Sequence, residues 1–208
     1  MIYFLTDIKK RTNDFLKNLD VNLVLWHGST KEKAHKILQE KEFVPSKREA
    51  DWLGNGIYFW EESHEAAYYW TCRYSNNPFE KGSVKVYVKI KREESLDLVA
   101  DRWEPFLKYL SSEFEKRHGR RINPGTLFNL LCKELGKSGI LIKALKGTQF
   151  YNNKRPVIKG TGFYKYKTQV CLRCDPVSDK CLSDILFLEM HTYTSNYLES
   201  GESICEMI

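Results

Sequence analysis

No run in the 208 residues approaches the roughly 20 consecutive apolar positions that a membrane-spanning helix requires. The amino terminus, MIYFLTDIKKRTNDFLK, meets charge by Asp7 and lacks the apolar core of roughly 7–15 residues and the small-residue cleavage site of a secretory signal. Membrane insertion and export are not expected, and the chain reads as cytoplasmic. Proline and glycine are few, at 6 and 12 residues, and no internal repeat, low-complexity segment or linker interrupts the sequence. With 42% hydrophobic and 29% charged residues, this is the composition of a folded globular protein. A chain of this length can bury roughly 70% of its unfolded surface without disulfides or metals, so a single domain over 1–208 is expected.

The six cysteines (72, 132, 171, 174, 181 and 205) accompany no export signal, which favours free thiols over a disulfide framework. Cys171-Leu-Arg-Cys174, with Cys181 nearby, comes nearest to a zinc pattern. It lacks a second CxxC or a clustered His pair, and Cys171 falls within an alternating strand pattern, so no metal is expected.

Acidic residues are in the minority: 27 Asp and Glu face 33 Lys and Arg, a net charge of +6. A positive field of this kind favours polyanions, although it also fits ordinary solubility. Basic residues gather at Lys116-Arg117-His118-Gly119-Arg120-Arg121 and at Lys154, Arg155, Lys159, Lys165 and Lys167, the latter interleaved with Tyr151, Phe163, Tyr164 and Tyr166. Such mixtures can hold phosphates and stack bases, or can be a solvated face with core aromatics.

Hydrophobic periodicity predicts an alternation of strands and helices. A short amphipathic helix is expected over 6–19, a buried strand at Asn22–Trp26 ending at His27-Gly28, and a helix over 31–40 capped by Ser29 or Thr30 with Ala34, Ile37 and Leu38 inward. Gly54-Asn55-Gly56 marks a turn into a strand at Ile57–Trp60, followed by a helix near 62–74. Ser83–Ile90 alternates with period two, placing Val84, Val86, Val88 and Ile90 on one face. Helices are predicted over 102–118 and 126–137, and strands at 140–142, 148–151, 155–158, 168–174 and 184–190. The fold class is α+β, with a mixed, largely antiparallel sheet and flanking helices.

LWHGS at 25–29, followed after a helix by WLGNGIYFWEESHEAAYYW at 52–70, resembles the catalytic domain of the poly(ADP-ribose) polymerase branch of the diphtheria-toxin-like ADP-ribosyltransferases. The resemblance covers about residues 23–70 and returns faintly at 155–174, where RPVIKGTGFYKYKTQVCLRC is similar to late strands of small bacterial members. It implies an ADP-ribosyltransferase-like fold with NAD⁺ as the substrate. It also implies that His27 bonds the adenosine ribose, that the Gly28 backbone pairs with the nicotinamide carboxamide, and that Ser29 adds a hydrogen bond or caps the helix. Tyr58 and Tyr69 would sandwich the nicotinamide ring.

The third catalytic position departs from the polymerases, which place a Glu there. Strand-to-strand alignment puts Gln169 at that point, with Thr168 beside it and Glu189 as the rival acid. A glutamine can bond a ribose hydroxyl but cannot accept a proton, so one ADP-ribose per target is expected rather than a polymer. The serine that precedes the stacking tyrosine in the polymerases is replaced by Ala66. Glu61, Glu62 and Glu65 are candidates for activating an acceptor, or for serving the helix dipole.

The expected activity is mono-ADP-ribosyl transfer to a macromolecule, with nucleic acid placed ahead of protein on charge and on the basic-aromatic stretch 151–167, and RNA favoured. The resemblance further implies a toxin of the toxin–antitoxin or anti-phage kind, with an antitoxin protein as a possible partner. Three other readings stay open: a protein-directed transferase, an NAD⁺ glycohydrolase, and a non-catalytic module that binds ADP-ribose or nucleic acid.

Overall fold

The computed structural model describes residues 19–71, 77–98, 104–149 and 167–192. Within them the order is β1 (Asp20–Thr30), α1 (Lys31–Glu40), β2 (Ile57–Glu61), α2 (His64–Thr71), β3 (Lys81–Lys91), β4 (Ser95–Asp97), α3 (Glu104–His118), α4 (Pro124–Lys137), β5 (Ala144–Gln149), β6 (Lys167–Leu172) and β7 (Ile185–Thr192). The strands form one sheet in the order β4-β5-β6-β2-β1-β3-β7. Only the β4–β5 pair is parallel. The fold is α+β with a mixed, mostly antiparallel sheet. The helix expected over 6–19 and the strand expected at 155–158 lie outside the described residues.

The backbone of the sheet is the β1–β3 ladder, one-to-one from Asp20 opposite Lys91 to Thr30 opposite Lys81. β1 is longer than its hydrophobic run. It continues through His27-Gly28-Ser29 because β3 supplies a partner for every residue. LWHGS therefore lies inside a strand and not at its end.

Period-two alternation then assigns every side chain to one face or the other. Leu23, Leu25, Val84, Val86, Val88, Ile90, Phe59 and Val170 form the larger core with Ala34 of α1 and Phe43. The opposite face carries two separate clusters. One is Trp26, Trp60, Ala66 and Ala67, under α2. The other joins Leu53, Leu145 and Cys171 to Phe128, Leu131 and Leu135 of α4.

Helix ends follow their caps. The Thr30 hydroxyl accepts from Lys33 N–H at 3.3 Å, so Thr30 rather than Ser29 starts α1. Asn123 accepts from Thr126 N–H at 2.7 Å, with Pro124 in the first turn of α4.

The strand expected at Ile140–Ile142 is absent. Leaving α4, Gly139 takes φ +77°, and the Ile140 N–H returns to the Leu135 carbonyl at 3.0 Å. The apolar run is spent on helix exit, with Ile142 plugged into the α4 core. Sheet-like bonding starts only at Lys143, whose N–H donates to Glu94 O and whose carbonyl accepts from Arg173 N–H, both at 2.8 Å. The strand placed at 148–151 by pattern accordingly begins at Ala144.

Candidate active site

The sheet parts in its middle. β1 and β2 pair only at Leu25–Glu61 and Trp26–Trp60, after which Ile57, Tyr58 and Phe59 have ladder partners on β6 alone. Glu62 N–H donates to the Val24 carbonyl at 2.9 Å, so the polar backbone groups of Val24 face β2. In an unbulged strand these groups alternate in direction residue by residue. Those of Trp26 also face β2, and so do those of Gly28. At Gly28, however, the ladder has ended, and its N–H and C=O are aimed into the gap between the strands.

His27 spans the upper end of the gap. Its Nδ1 lies 2.9 Å from the Tyr58 carbonyl oxygen. A carbonyl only accepts, so Nδ1 carries the hydrogen and Nε2 is left as an acceptor. The ring is wedged edge-on against Phe43 and Phe59, with centroids at 5.1 and 5.6 Å. Burial lowers its pKa below the ordinary histidine value, against a smaller upward pull from the Tyr58 carbonyl. At neutral pH His27 is an uncharged imidazole fixed in one tautomer.

Tyr58 is anchored at its tip: its hydroxyl donates to Gly54 O at 2.8 Å and accepts from Leu53 N–H at 3.0 Å. Burial raises its pKa, so the phenol stays protonated and the ring offers a face, not a base. The loop that holds it is closed by reciprocal Ser46–Gly56 backbone bonds of 2.8 and 3.0 Å. Gly56 has φ +157°, and a Cβ there would lie 2.6 Å from Cys171 Sγ, so the second glycine of GNG is required by both conformation and space.

Gln169 stands opposite Trp60 in the β2–β6 register, two residues from Cys171, which pairs with Tyr58. Tyr58, Trp60, Gln169 and Gly28 therefore share the face that carries α2. Gln169 is 2% exposed, and its Oε1 accepts from the Trp52 indole N–H at 2.6 Å. Because an indole N–H only donates, the amide orientation is settled and Nε2 is the group left to donate. Trp52 is a site residue that residue-by-residue reading missed, although it opens the WLGNGIYF motif.

Other candidates are dispersed. Thr168 points to the opposite face, across from Thr148. Glu189 is exposed on the edge strand β7, bonded to Lys85 at 2.8 Å, with His191 at 3.3 Å, and two strands separate it from β2. Glu61 belongs to β2, not to a helix start. It forms a partly buried ion pair with Lys146 at 2.6 Å, on the face away from Tyr58. Glu62 is exposed at a left-handed turn, φ +49°. Glu65 pairs with Lys167 at 3.2 Å, and the same ammonium donates to Ser63 Oγ at 2.8 Å. Tyr69 is half-buried on α2 with its ring 5.8 Å from that of Tyr68, and Ala66 is a fully buried residue of the same helix. Ser29 is buried on the His27 face. The basic-aromatic stretch 151–166 lies outside the described residues.

The CxxC pair does not converge. Cys171 joins the α4 cluster and Cys174 the opposite core, since three residues of extended chain reverse the face. Burial pushes the Cys171 thiol up to about 12. Among the described residues, no group of three His, Cys, Asp or Glu side chains is placed to hold a metal ion, and no helix is long and apolar enough to cross a membrane.

At the start of α2, Trp26 meets His64 at a tilt and His191 edge-on, at centroid distances of 4.5 and 4.9 Å. Burial and the nearby His191 lower the His64 pKa to about 4, with Lys85 acting the same way and Glu65 and Glu189 opposing. The unfolded chain, titrating at 6.5, binds this proton first, so the contribution to stability is intact above pH 6.5 and is lost as pH falls towards 4. Melting temperatures measured from pH 7 to 4 are expected to fall less steeply for His64→Gln than for the native chain.

Comparison with known proteins returned no matching family model and no matching solved structure. The chain is similar to the uncharacterized protein MJ0359 of Methanocaldococcus jannaschii, at 29% identity over 128 residues, 56% of this chain and 60% of the relative. The match thus spans less than two thirds of the relative's length.

Proposed function

We propose that the protein is a cytoplasmic mono-ADP-ribosyltransferase that cleaves NAD⁺ and passes one ADP-ribose to a nucleic acid, with RNA favoured. The observation that carries this reading is the gap between β1 and β2, into which Gly28 directs its N–H and C=O beyond the end of the ladder. One donor and one acceptor on a residue without a side chain match the carboxamide of nicotinamide, which needs one of each. His27 Nε2 is an acceptor suited to a ribose hydroxyl, and Tyr58 offers an anchored ring.

The bond between nicotinamide and C1′ of the ribose breaks, nicotinamide leaves with the bonding pair, and the acceptor oxygen or nitrogen attacks the resulting oxocarbenium-like centre and releases its proton to solvent. Gln169 Nε2 is suited to hold a ribose hydroxyl oxygen through that step, since Trp52 occupies its Oε1. The amide at this position cannot deprotonate a growing chain, which supports a single transfer. Net positive charge supports a polyanionic acceptor. An enzyme of this kind would act as a toxin, in toxin–antitoxin or anti-phage defence, and call for a neutralising antitoxin protein.

The test is incubation of the purified protein with labelled NAD⁺ and, separately, total RNA, DNA and protein. Label on RNA and free nicotinamide are expected. Label on protein would redirect the acceptor, label only in free ADP-ribose would make the chain a glycohydrolase, and intact NAD⁺ would leave a binding module. Gln169→Ala should slow nicotinamide release about tenfold, the worth of one buried hydrogen bond.

A further inference from the structure

The hairpin that follows β6 brings Cys174 and Cys181 face to face in an isolated antiparallel bridge. The bonds on either side of the pair run from Asp175 N–H to Lys180 O at 2.8 Å and from Leu182 N–H to Arg173 O at 2.9 Å. Bonds made by the flanking residues, and not by the pair itself, define a non-hydrogen-bonded pair, the type in which opposed Cα atoms approach to about 4.5 Å. That spacing lies within the range a disulfide spans, roughly 4.4–6.8 Å. Both thiols are free and partly exposed. Each thiol shifts the other: Cys174 lowers the Cys181 pKa, with the Ser183 backbone N–H acting the same way, while Cys181 and burial raise that of Cys174.

We propose that Cys174 and Cys181 form an oxidisable dithiol, a modification site that closes to a disulfide by exchange with small-molecule disulfides. The thiolate of one attacks one sulfur of oxidised glutathione and expels one glutathione thiolate. The other, releasing its proton to solvent, then attacks the protein sulfur of the mixed disulfide and expels the second. Two protein thiols are oxidised while one oxidised glutathione is reduced to two glutathiones. The hairpin clasps the loop that leads into Tyr58. Arg173 donates to Asn55 O at 2.6 Å and to Asn129 Oδ1 at 2.7 Å, and Asp179 pairs with Lys47 at 2.6 Å.

The full chain is incubated with oxidised glutathione, alkylated, digested and mapped by tandem mass spectrometry. The expected result is a Cys174–Cys181 linkage in the native chain, reversed by reduced glutathione. In each single variant, Cys174→Ser and Cys181→Ser, a glutathione adduct should accumulate on the remaining thiol instead. Absence of the native linkage overturns the proposal. The native linkage map needs no substitution, so it decides even where a variant fails to fold.

Discussion

His27→Ala should lower nicotinamide release from NAD⁺ by about 100-fold or more. Two losses combine. The acceptor Nε2 disappears, which costs about one buried hydrogen bond, and the Tyr58 carbonyl loses its His27 donor, leaving a partly buried acceptor unsatisfied at about 1–3 kcal/mol. Together these reach about 3 kcal/mol, or about 100-fold in rate. The aromatic wedge against Phe43 and Phe59 is removed as well, so the gap can close. Turnover is measured beside the thermal midpoint. Unimpaired nicotinamide release in a folded His27→Ala chain would show that the gap is not where NAD⁺ is cleaved.

Gly28→Ala is expected to be the most disruptive single-methyl addition at the site. A Cβ on Gly28 would come within 3.0 Å of the Ala67 carbonyl carbon, closer still to its oxygen, and 3.1 Å from Thr71 Cγ2. These are backbone atoms of α2 and a buried side chain, so neither can swing aside. α2 must lift from β1, at a cost of about 1–3 kcal/mol or more, which is several degrees in the melting temperature. The helix that moves also carries Tyr69, so NAD⁺ affinity should fall with stability. Gly136→Ala is the control. It lies in α4 with nothing within 4 Å of its added Cβ, and should be neutral or stabilising by up to about 1 kcal/mol. A Gly28→Ala chain that melts with the native protein would contradict the close approach of α2.

The close packing also changes what Gly28 means. The resemblance assigns the missing side chain to nicotinamide, yet on the α2 face its absence is demanded by the helix alone. The two requirements act in different directions. The Cβ would point at α2, whereas the N–H and C=O point within the sheet plane to the gap, so the helix requirement and the proposed nicotinamide contact are compatible in one glycine.

Much of the architecture was legible because it is local. Val84, Val86, Val88 and Ile90 are essentially inaccessible, as their alternation predicts, because one face of β3 is core along its whole length. Asn123 and Thr30 begin helices through bonds three residues away. The apolar run 140–142 misled because a short β-branched segment fits a strand and a core plug equally well, and the Gly139 turn decides between them.

By itself the sequence determined the fold class, the buried faces, most element positions and the chemical character of the 25–29 and 52–70 motifs, since periodicity, caps and glycine requirements act over a few residues. Tertiary structure alone decided that the sheet parts beyond Trp26 and that Gln169, not Glu189, stands on the strand beside Tyr58. It also decided that Trp52 orients the Gln169 amide and that Cys174 meets Cys181, not Cys171. These depend on strand order and on contacts between residues up to 117 apart, where no local pattern specifies the partner and the packing of the whole sheet does.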